Sequence, residues 1–270
     1  MNLAISNIAW PQDDTPAVLE LLQRESVGWV EIAPSRIWTE PVETAAAQRR
    51  DLVRQLSLRG IRAISLHSLL YTRPDLGLFL GRETDANTVR YLSDLADLAA
   101  DLGARWLVFG SPRNRKKGDL PFPEACRKAA EVFGPAGDAA HGRGVTLLIE
   151  PLTAGETDFV RTAGEGIQLV RTVASRGFSL HLDAKSVAGE SGDLLEILRS
   201  ALPYARHFHV NDPDLAPLGT TAGYHAAMGQ ALRKAGYSGH VSIEMKTVPD
   251  HRTVISRSLA YAKRFYMGQG

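Results

Sequence analysis

The sequence has 270 residues, of which 44% are hydrophobic and 23% charged, a composition that is ordinary for a soluble globular protein. Its 31 basic and 30 acidic side chains leave a net charge of +1, which gives no general attraction to nucleic acid or to an anionic membrane. The single cysteine, Cys126, excludes an intramolecular disulfide and a cysteine-rich zinc site. No apolar run approaches the length of a membrane span, and the first residues enter a strand-like pattern without a signal-like segment. We therefore expect a cytoplasmic protein.

Strand-like and helix-like patterns alternate along the chain eight times. The predicted strands cover residues 3–8, 28–33, 61–67, 105–109, 145–150, 178–183, 206–210 and 240–244. Helices are expected at about 15–24, 43–59, 85–102, 123–141, 162–175, 192–202, 224–235 and 250–265. Gly134-Pro135 should break or kink the fourth helix, because proline has no N–H and clashes with the preceding turn. The alternation indicates βαβ units and a parallel sheet.

The number of these units favours a closed sheet over an open one. Eight βα units in one compact chain favour a (β/α)8 barrel, also called a TIM barrel, in which residues 1–270 form one domain. An open doubly wound sheet is the alternative, and it would want a glycine-rich turn after the first strand. Residues 7–11 read NIAWP, which is no such turn. The barrel is therefore the predicted fold.

Four of the predicted strands end in a side chain of a metal-binding type: Glu150, Asp183, His209 and Glu244. These are strands five to eight, which are neighbours in a barrel, and the carboxyl ends of all strands lie on one face. The four side chains can therefore converge on one point. Three carboxylates and one imidazole favour Mn²⁺ or Mg²⁺, with Zn²⁺, Co²⁺ and Fe²⁺ as alternatives. The competing interpretation is that each residue forms a separate salt bridge or helix cap.

The motifs around these residues resemble those of the xylose isomerase-like sugar isomerases and epimerases, and most closely the ketose 3-epimerases and hydroxypyruvate isomerases. The motifs are Ile149-Glu150-Pro151, Leu182-Asp183, Phe208-His209-Val210 and Ile243-Glu244. Their spacing along the chain is similar to that of the family, and the segment 232–239 before the last strand is also typical of it. The resemblance extends from the first strand to the last.

The resemblance implies an enzyme that isomerises or epimerises a sugar, a sugar phosphate or a small keto acid. A divalent metal would bind adjacent carbonyl and hydroxyl oxygens of the substrate, lower the pKa of the neighbouring C–H group and stabilise the enediolate. Glu150 and Glu244 would lie on opposite faces of the substrate, where one removes the proton and the other returns it. Family members are often dimers or tetramers, so the resemblance is compatible with a homo-oligomer.

Four further residues are predicted to contact the substrate. Glu156 matches a glutamate that contacts substrate in the epimerases, although a solvated loop acid is the alternative. His67 ends the third strand and can point inward, and Lys185 follows Asp183 on the same side. Arg113 begins a basic loop on the active face, where it could clamp a phosphate or carboxylate; such a charge run is often only a solvated loop.

Two other histidines, His181 and His207, share the strand face of Asp183 and His209 but lie one layer deeper. We interpret them as core residues or as supports for the ligands, and not as ligands themselves.

Three positions depart from the pattern of the family. Ser186 stands where the family usually has a histidine, Leu215 where it often has an arginine, and Tyr224 begins the pair that replaces an expected Asp-Phe. Because these positions hold the substrate in the family, the usual pocket for a free ketose is not assured.

The departures keep other functions open. A dehydratase could use the same ligands, and a degenerate barrel could bind a sugar without chemistry. A zinc-dependent abasic-site endonuclease shares the scaffold but uses a histidine-rich site for three metal ions. The chain has only eight histidines and is not basic, which disfavours that reading.

Overall fold

Eight parallel strands form a closed barrel in which each strand pairs with the next and β8 pairs with β1. The structure is a computed structural model, and it describes residues 1–221 and 223–268. The strands are β1 Asn2–Ser6, β2 Trp29–Ile32, β3 Arg62–Leu66, β4 Trp106–Phe109, β5 Thr146–Ile149, β6 Phe178–Asp183, β7 Ala205–Val210 and β8 His240–Ile243. The predicted (β/α)8 barrel is confirmed.

Helices follow the strands and surround the barrel. They are α1 Thr15–Arg24, α2 Ala46–Ser57, α3 Arg82–Asp101, α4 Phe122–Gly142, α5 Ala163–Val173, α6 Ala184–Ala188, α7 Leu194–Ala201, α8 His225–Lys234 and α9 His251–Ala262, with a π-helical turn at Lys263–Met267. Among residues 1–221 and 223–268, none of these helices combines the length and the apolar character that crossing a bilayer requires.

The strands are buried on both sides, between the side chains that fill the barrel and the helices around it. In β5, Leu147, Leu148 and Ile149 are all fully buried, although successive side chains point to opposite faces of the sheet. Continuous apolar runs of this kind are typical of parallel strands. The helices supply the matching apolar stripe, as α1 does with Val18 and Leu22, one turn apart. Burying one such side chain contributes about 1.5–3 kcal/mol.

Of the break or kink predicted at Gly134-Pro135, the break is wrong, because α4 is continuous from Phe122 to Gly142, and the kink stays a prediction. Pro135 leaves the carbonyl of Glu131 without its usual helical donor. Glu131 and Pro135 lie on the exposed side of α4, where water can donate a hydrogen bond to the Glu131 carbonyl. The apolar stripe on the other side of α4 then keeps the helix packed on the barrel.

The short helix α6 was not predicted, and it matters for the site. It begins directly after Asp183, whose carboxylate accepts a hydrogen bond from the backbone N–H of Ser186 at 2.8 Å. Asp183 is therefore an N-cap, which fixes its side chain at the carboxyl end of β6.

Candidate active site

The carboxyl ends of the strands open into a cavity of about 940 Å³. Glu150, Asp183 and Glu244 line it, and His209 lies buried against them. One ligand-type atom from each of these four residues lies within 4.8 Å of all the others. The structure thus brings the four predicted ligands together, from β6, β7 and the ends of β5 and β8.

His209 lies at the centre of this group. Its Nδ1 is 3.3 Å from Oε1 of Glu150 and 3.5 Å from Oε2 of Glu244. Its Nε2 points the other way, down the barrel, and lies 2.8 Å from Oε2 of Glu31. The imidazole therefore connects the cavity with a second carboxylate one layer below it.

The electrostatics of the four residues fit a divalent cation. Burial, together with the negative charge of Glu150, raises the pKa of Asp183 to about 7. Carboxylates this close together repel each other, and a cation among them would remove that repulsion. Three carboxylates with one imidazole form a mostly oxygen donor set, which suits a hard or borderline divalent ion. The buried Glu, Asp and His group could therefore bind one metal ion.

Two residues of this region were missed in the sequence. The amide Nδ2 of Asn211 donates to Oδ2 of Asp183 and, at 3.3 Å, to Oε2 of Glu244. Glu31 is fully buried on β2 and contacts His209. Both had a usable signal: Asn211 lies two residues after His209, and Glu31 is the one charged residue in an otherwise apolar strand.

Glu150 is held from two sides. Nη1 of the fully buried Arg115 donates to the backbone carbonyl of Glu150 at 2.7 Å. Burial lowers the pKa of Arg115 to about 10, so its guanidinium stays charged at neutral pH. On the other side, Gly110 lies so close to the Glu150 carboxylate that a Cβ there would overlap Oε2. Glycine at 110 is therefore a condition for this position of the carboxylate.

The substitution Gly110→Ala should displace the Glu150 carboxylate and weaken the binding of a divalent metal by about 10-fold or more, which corresponds to at least 1.4 kcal/mol. Titration calorimetry with Mn²⁺ on the metal-stripped protein measures this. The matched control is Gly142→Ala at the end of α4, where a new Cβ meets nothing within 4 Å. It should leave both the fold and the metal affinity unchanged. Equal affinities in both variants would contradict this role of Gly110.

All four residues predicted to contact substrate line the same cavity: His67, Arg113, Glu156 and Lys185. Nδ1 of His67 lies 3.3 Å from Oε1 of Glu244, so His67 orients that carboxylate. Nζ of Lys185 lies 2.8 Å from Oε1 of Glu156, and this ion pair spans the cavity wall. The guanidinium of Arg113 lies over the ring of Tyr71 at the rim. The structure brings these residues together, and contact with a substrate remains a prediction.

The three departures from the family pattern lie in or beside the cavity. Leu215 and Tyr224 line it, and the Tyr224 hydroxyl donates to the carbonyl of Asn211 at 2.7 Å. Ser186 is buried at the start of α6, and its Oγ has no hydrogen-bond partner among the described residues. The wall formed by β6, β7 and their loops is thus less basic than the family pattern implies.

Comparisons with known proteins agree with this architecture. The chain is 26% identical over 160 residues to L-ribulose 3-epimerase of Mesorhizobium japonicum, a match that covers 59% of this chain and 54% of that protein. It is 26% identical over 151 residues to D-psicose 3-epimerase of Agrobacterium fabrum, covering 56% and 50%. The chain thus spans about half the length of the curated relatives it matches. A solved structure of L-ribulose 3-epimerase superposes with a TM-score of 0.84 over 99% of this chain and 95% of that one, at 18% identity, which shows likeness of fold alone.

A family model described as the xylose isomerase-like TIM barrel matches residues 19–265. That range contains Glu31 and all of the residues that converge at the carboxyl ends of β5 to β8. The chain therefore belongs to the xylose isomerase-like TIM-barrel family.

Proposed function

We propose that this protein is a divalent-metal-dependent isomerase or epimerase that acts on a ketose, a ketose phosphate or a small keto acid. The observation that carries the proposal is the convergence of Glu150, Asp183, His209 and Glu244 within 4.8 Å at the base of a cavity large enough for a sugar. The similarity to L-ribulose and D-psicose 3-epimerases supports a ketose as the substrate and proton transfer as the chemistry.

The same four residues would hold the metal, with Mn²⁺ or Mg²⁺ as the first choice and Zn²⁺, Co²⁺ or Fe²⁺ as alternatives. When bound, the ion would act as a Lewis acid that stabilises negative charge on the substrate oxygens. Asn211 supports this arrangement from the protein side, because its amide donates to two of the carboxylates and keeps them in place.

Glu150 and Glu244 are the proposed acid–base pair. They follow β5 and β8, which are separated by two strands, so their carboxylates approach the cavity from different sides of the barrel. This arrangement suits a reaction in which one carboxylate removes a proton from carbon and the other delivers a proton to the opposite face. Nδ1 of His67 lies 3.3 Å from Oε1 of Glu244, and Arg115 donates to the backbone carbonyl of Glu150, so both bases are held before substrate binds.

The cavity wall would bind the rest of the substrate. Glu156 and Lys185 form an ion pair that can exchange partners with sugar hydroxyls, and Lys185 can also meet an anionic group. Arg113 at the rim is the second cation within reach of a phosphate or carboxylate. In this proposal residues 1–270 act as one catalytic domain on a small-molecule substrate.

The rival functions are less well supported. Within residues 1–221 and 223–268, every grouping of metal-type residues contains His209, so the groupings are alternatives built on one imidazole and not three separate sites. This disfavours the zinc endonuclease. A dehydratase would use the same residues but release water, and a sugar-binding barrel without chemistry would not need two oriented carboxylates.

An activity screen with the metal-loaded protein tests the proposal. D-Psicose, D-fructose, L-ribulose, their phosphates and hydroxypyruvate are incubated with Mn²⁺ or Mg²⁺ in D₂O and followed by NMR. We expect interconversion of one isomer pair, with solvent deuterium at the carbon that changes, because the proton passes through a carboxylate. Loss of water would identify a dehydratase, and nicking of abasic DNA with Zn²⁺ would identify an endonuclease. Either result, or metal binding with no turnover of any substrate, would contradict the proposal.

A further inference from the structure

Glu31 is a fully buried carboxylate beneath the cavity, and the proposed proton transfer does not use it. It lies on β2, on the opposite side of the barrel from β6 and β7. Burying an ionised carboxylate is costly unless hydrogen bonds and opposite charge compensate for it. The surroundings of Glu31 therefore have to explain its presence.

Four donors from three strands surround the Glu31 carboxylate. Oε1 lies 2.7 Å from Oγ of Ser65 and 3.3 Å from Nε2 of His207. Oε2 lies 2.8 Å from Nε2 of His209 and 3.0 Å from Oγ of Ser242. An ionised carboxylate has about four lone-pair sites, so these donors occupy all of them. Glu31 therefore has no lone pair left to serve as a metal ligand itself.

The hydrogen bond between Glu31 and Nε2 of His209 determines which nitrogen of His209 carries a lone pair toward the cavity. An imidazole that donates from Nε2 carries its proton there, and in the neutral ring the lone pair is then on Nδ1. Nδ1 of His209 is the nitrogen that faces Glu150 and Glu244, at 3.3 and 3.5 Å. The opposite tautomer would place an Nε2 lone pair against the Glu31 carboxylate, which repels it.

We infer that Glu31 is a positioning residue that fixes His209 in the Nε2–H tautomer and so presents Nδ1 as the metal ligand. The inference rests on the proposed function, since it assumes that the four convergent residues bind a divalent ion. The negative charge of Glu31 also raises the basicity of Nδ1, which strengthens a bond to a cation. Glu31 thus acts on the cation only through His209.

Glu31→Gln tests this with little change of volume, because the amide keeps the shape of the side chain and loses the charge. The dissociation constant for Mn²⁺ is measured by titration calorimetry on metal-stripped protein. We expect it to rise about 10–100-fold, the usual effect of mutating the partner of a metal-binding histidine. The control is Ser65→Ala, which removes a donor to Oε1 and does not touch His209. It should lower the unfolding temperature but change the dissociation constant by less than about 10-fold.

A second measurement needs no variant. In the wild-type protein loaded with Mg²⁺, ¹⁵N chemical shifts report which nitrogen of His209 carries the proton. We expect a proton on Nε2 and none on Nδ1. A proton on Nδ1 would overturn the inference, even if Glu31→Gln fails to fold.

The failures of the two proposals can be told apart. If wild type binds no divalent ion, the proposed metal site fails and this inference fails with it. If wild type binds Mn²⁺ and folded Glu31→Gln binds it equally well, only the role of Glu31 is overturned.

Discussion

Replacing Glu150 or Glu244 by glutamine should lower kcat by about 10⁴-fold, the upper end of what a general base contributes, because an amide cannot accept the proton. The fold should survive, since glutamine has nearly the same volume and both residues lie at the cavity and not in the apolar core. The rates are measured at saturating Mn²⁺, because each glutamate is also a proposed ligand. Metal content is determined on the same samples, so that loss of the base is separated from loss of the ion.

Deuterium exchange makes this prediction sharper. If the two carboxylates act on opposite faces, each variant keeps one base. In D₂O, Glu150→Gln should then exchange the proton of one epimer, and Glu244→Gln that of the other epimer. The matched control is Glu196→Gln on α7, an exposed residue whose carboxylate pairs with Arg199 on the surface, which should behave like wild type. Full turnover in either active-site variant, or exchange of the same epimer in both, would contradict the two-base arrangement.

The fold could be predicted because its signals are local and repeated. Eight apolar runs alternate with amphipathic segments, and the run 145–149, which ends at Glu150, is hydrophobic at every position but Thr146. The convergence of the four ligands followed from topology alone, since neighbouring parallel strands end on one face. The convergence of these four residues could therefore be predicted without knowing any side-chain conformation.

What the sequence did not reveal depends on which way a side chain points. Parallel strands are apolar on both faces, so no alternation marks Glu31 as facing the barrel interior. Arg115 belongs to the basic run 113–117, yet it turns inward and is fully buried beneath Glu150 while Arg113 stays exposed. Pro135 was over-interpreted, because propensity says nothing about which side of a helix faces water.

The affinity for a divalent metal should depend steeply on pH, because protons compete for two of the four proposed ligands. Burial and the charge of Glu150 raise the pKa of Asp183 to about 7, so this carboxyl binds a proton below pH 7. Burial lowers the pKa of His209, but the charges of Glu31 and Glu244 outweigh it and hold that pKa well above its ordinary value. A metal ion must therefore displace a proton from His209 at a higher pH than an ordinary histidine would require, and a further one from Asp183 below pH 7.

The linkage between proton release and metal binding gives the expected change of the dissociation constant with pH. As the pH rises, the dissociation constant for Mn²⁺ should fall more steeply below pH 7 than above it, because below pH 7 the ion also displaces the proton of Asp183, which adds a factor of about ten per pH unit. Calorimetry in buffers with different ionisation enthalpies should count about one more proton released at pH 6 than at pH 8. Asp183→Asn is the matched variant: it should bind more weakly and lack this additional proton. The same count for wild type at pH 6 and pH 8 would contradict the raised pKa of Asp183.

The stability of the metal-free protein at different pH values gives an independent measure of the pKa of Asp183. The pKa of Asp183 is higher in the folded state than its ordinary value of 3.8, so its contribution to stability is fully present below about pH 4 and is lost as the pH rises through about 7. The unfolding temperature of the metal-free protein should therefore decline between pH 5 and pH 8, and the decline should be smaller in Asp183→Asn. Saturating Mn²⁺ should reverse it, because the ion binds the ionised carboxylate and the affinity is greatest where the metal-free protein is least stable. Repulsion among the ionised carboxylates of Glu150, Asp183 and Glu244 destabilises the metal-free protein. Protonation of Asp183 or binding of a metal ion relieves this repulsion, and both are favoured for that reason.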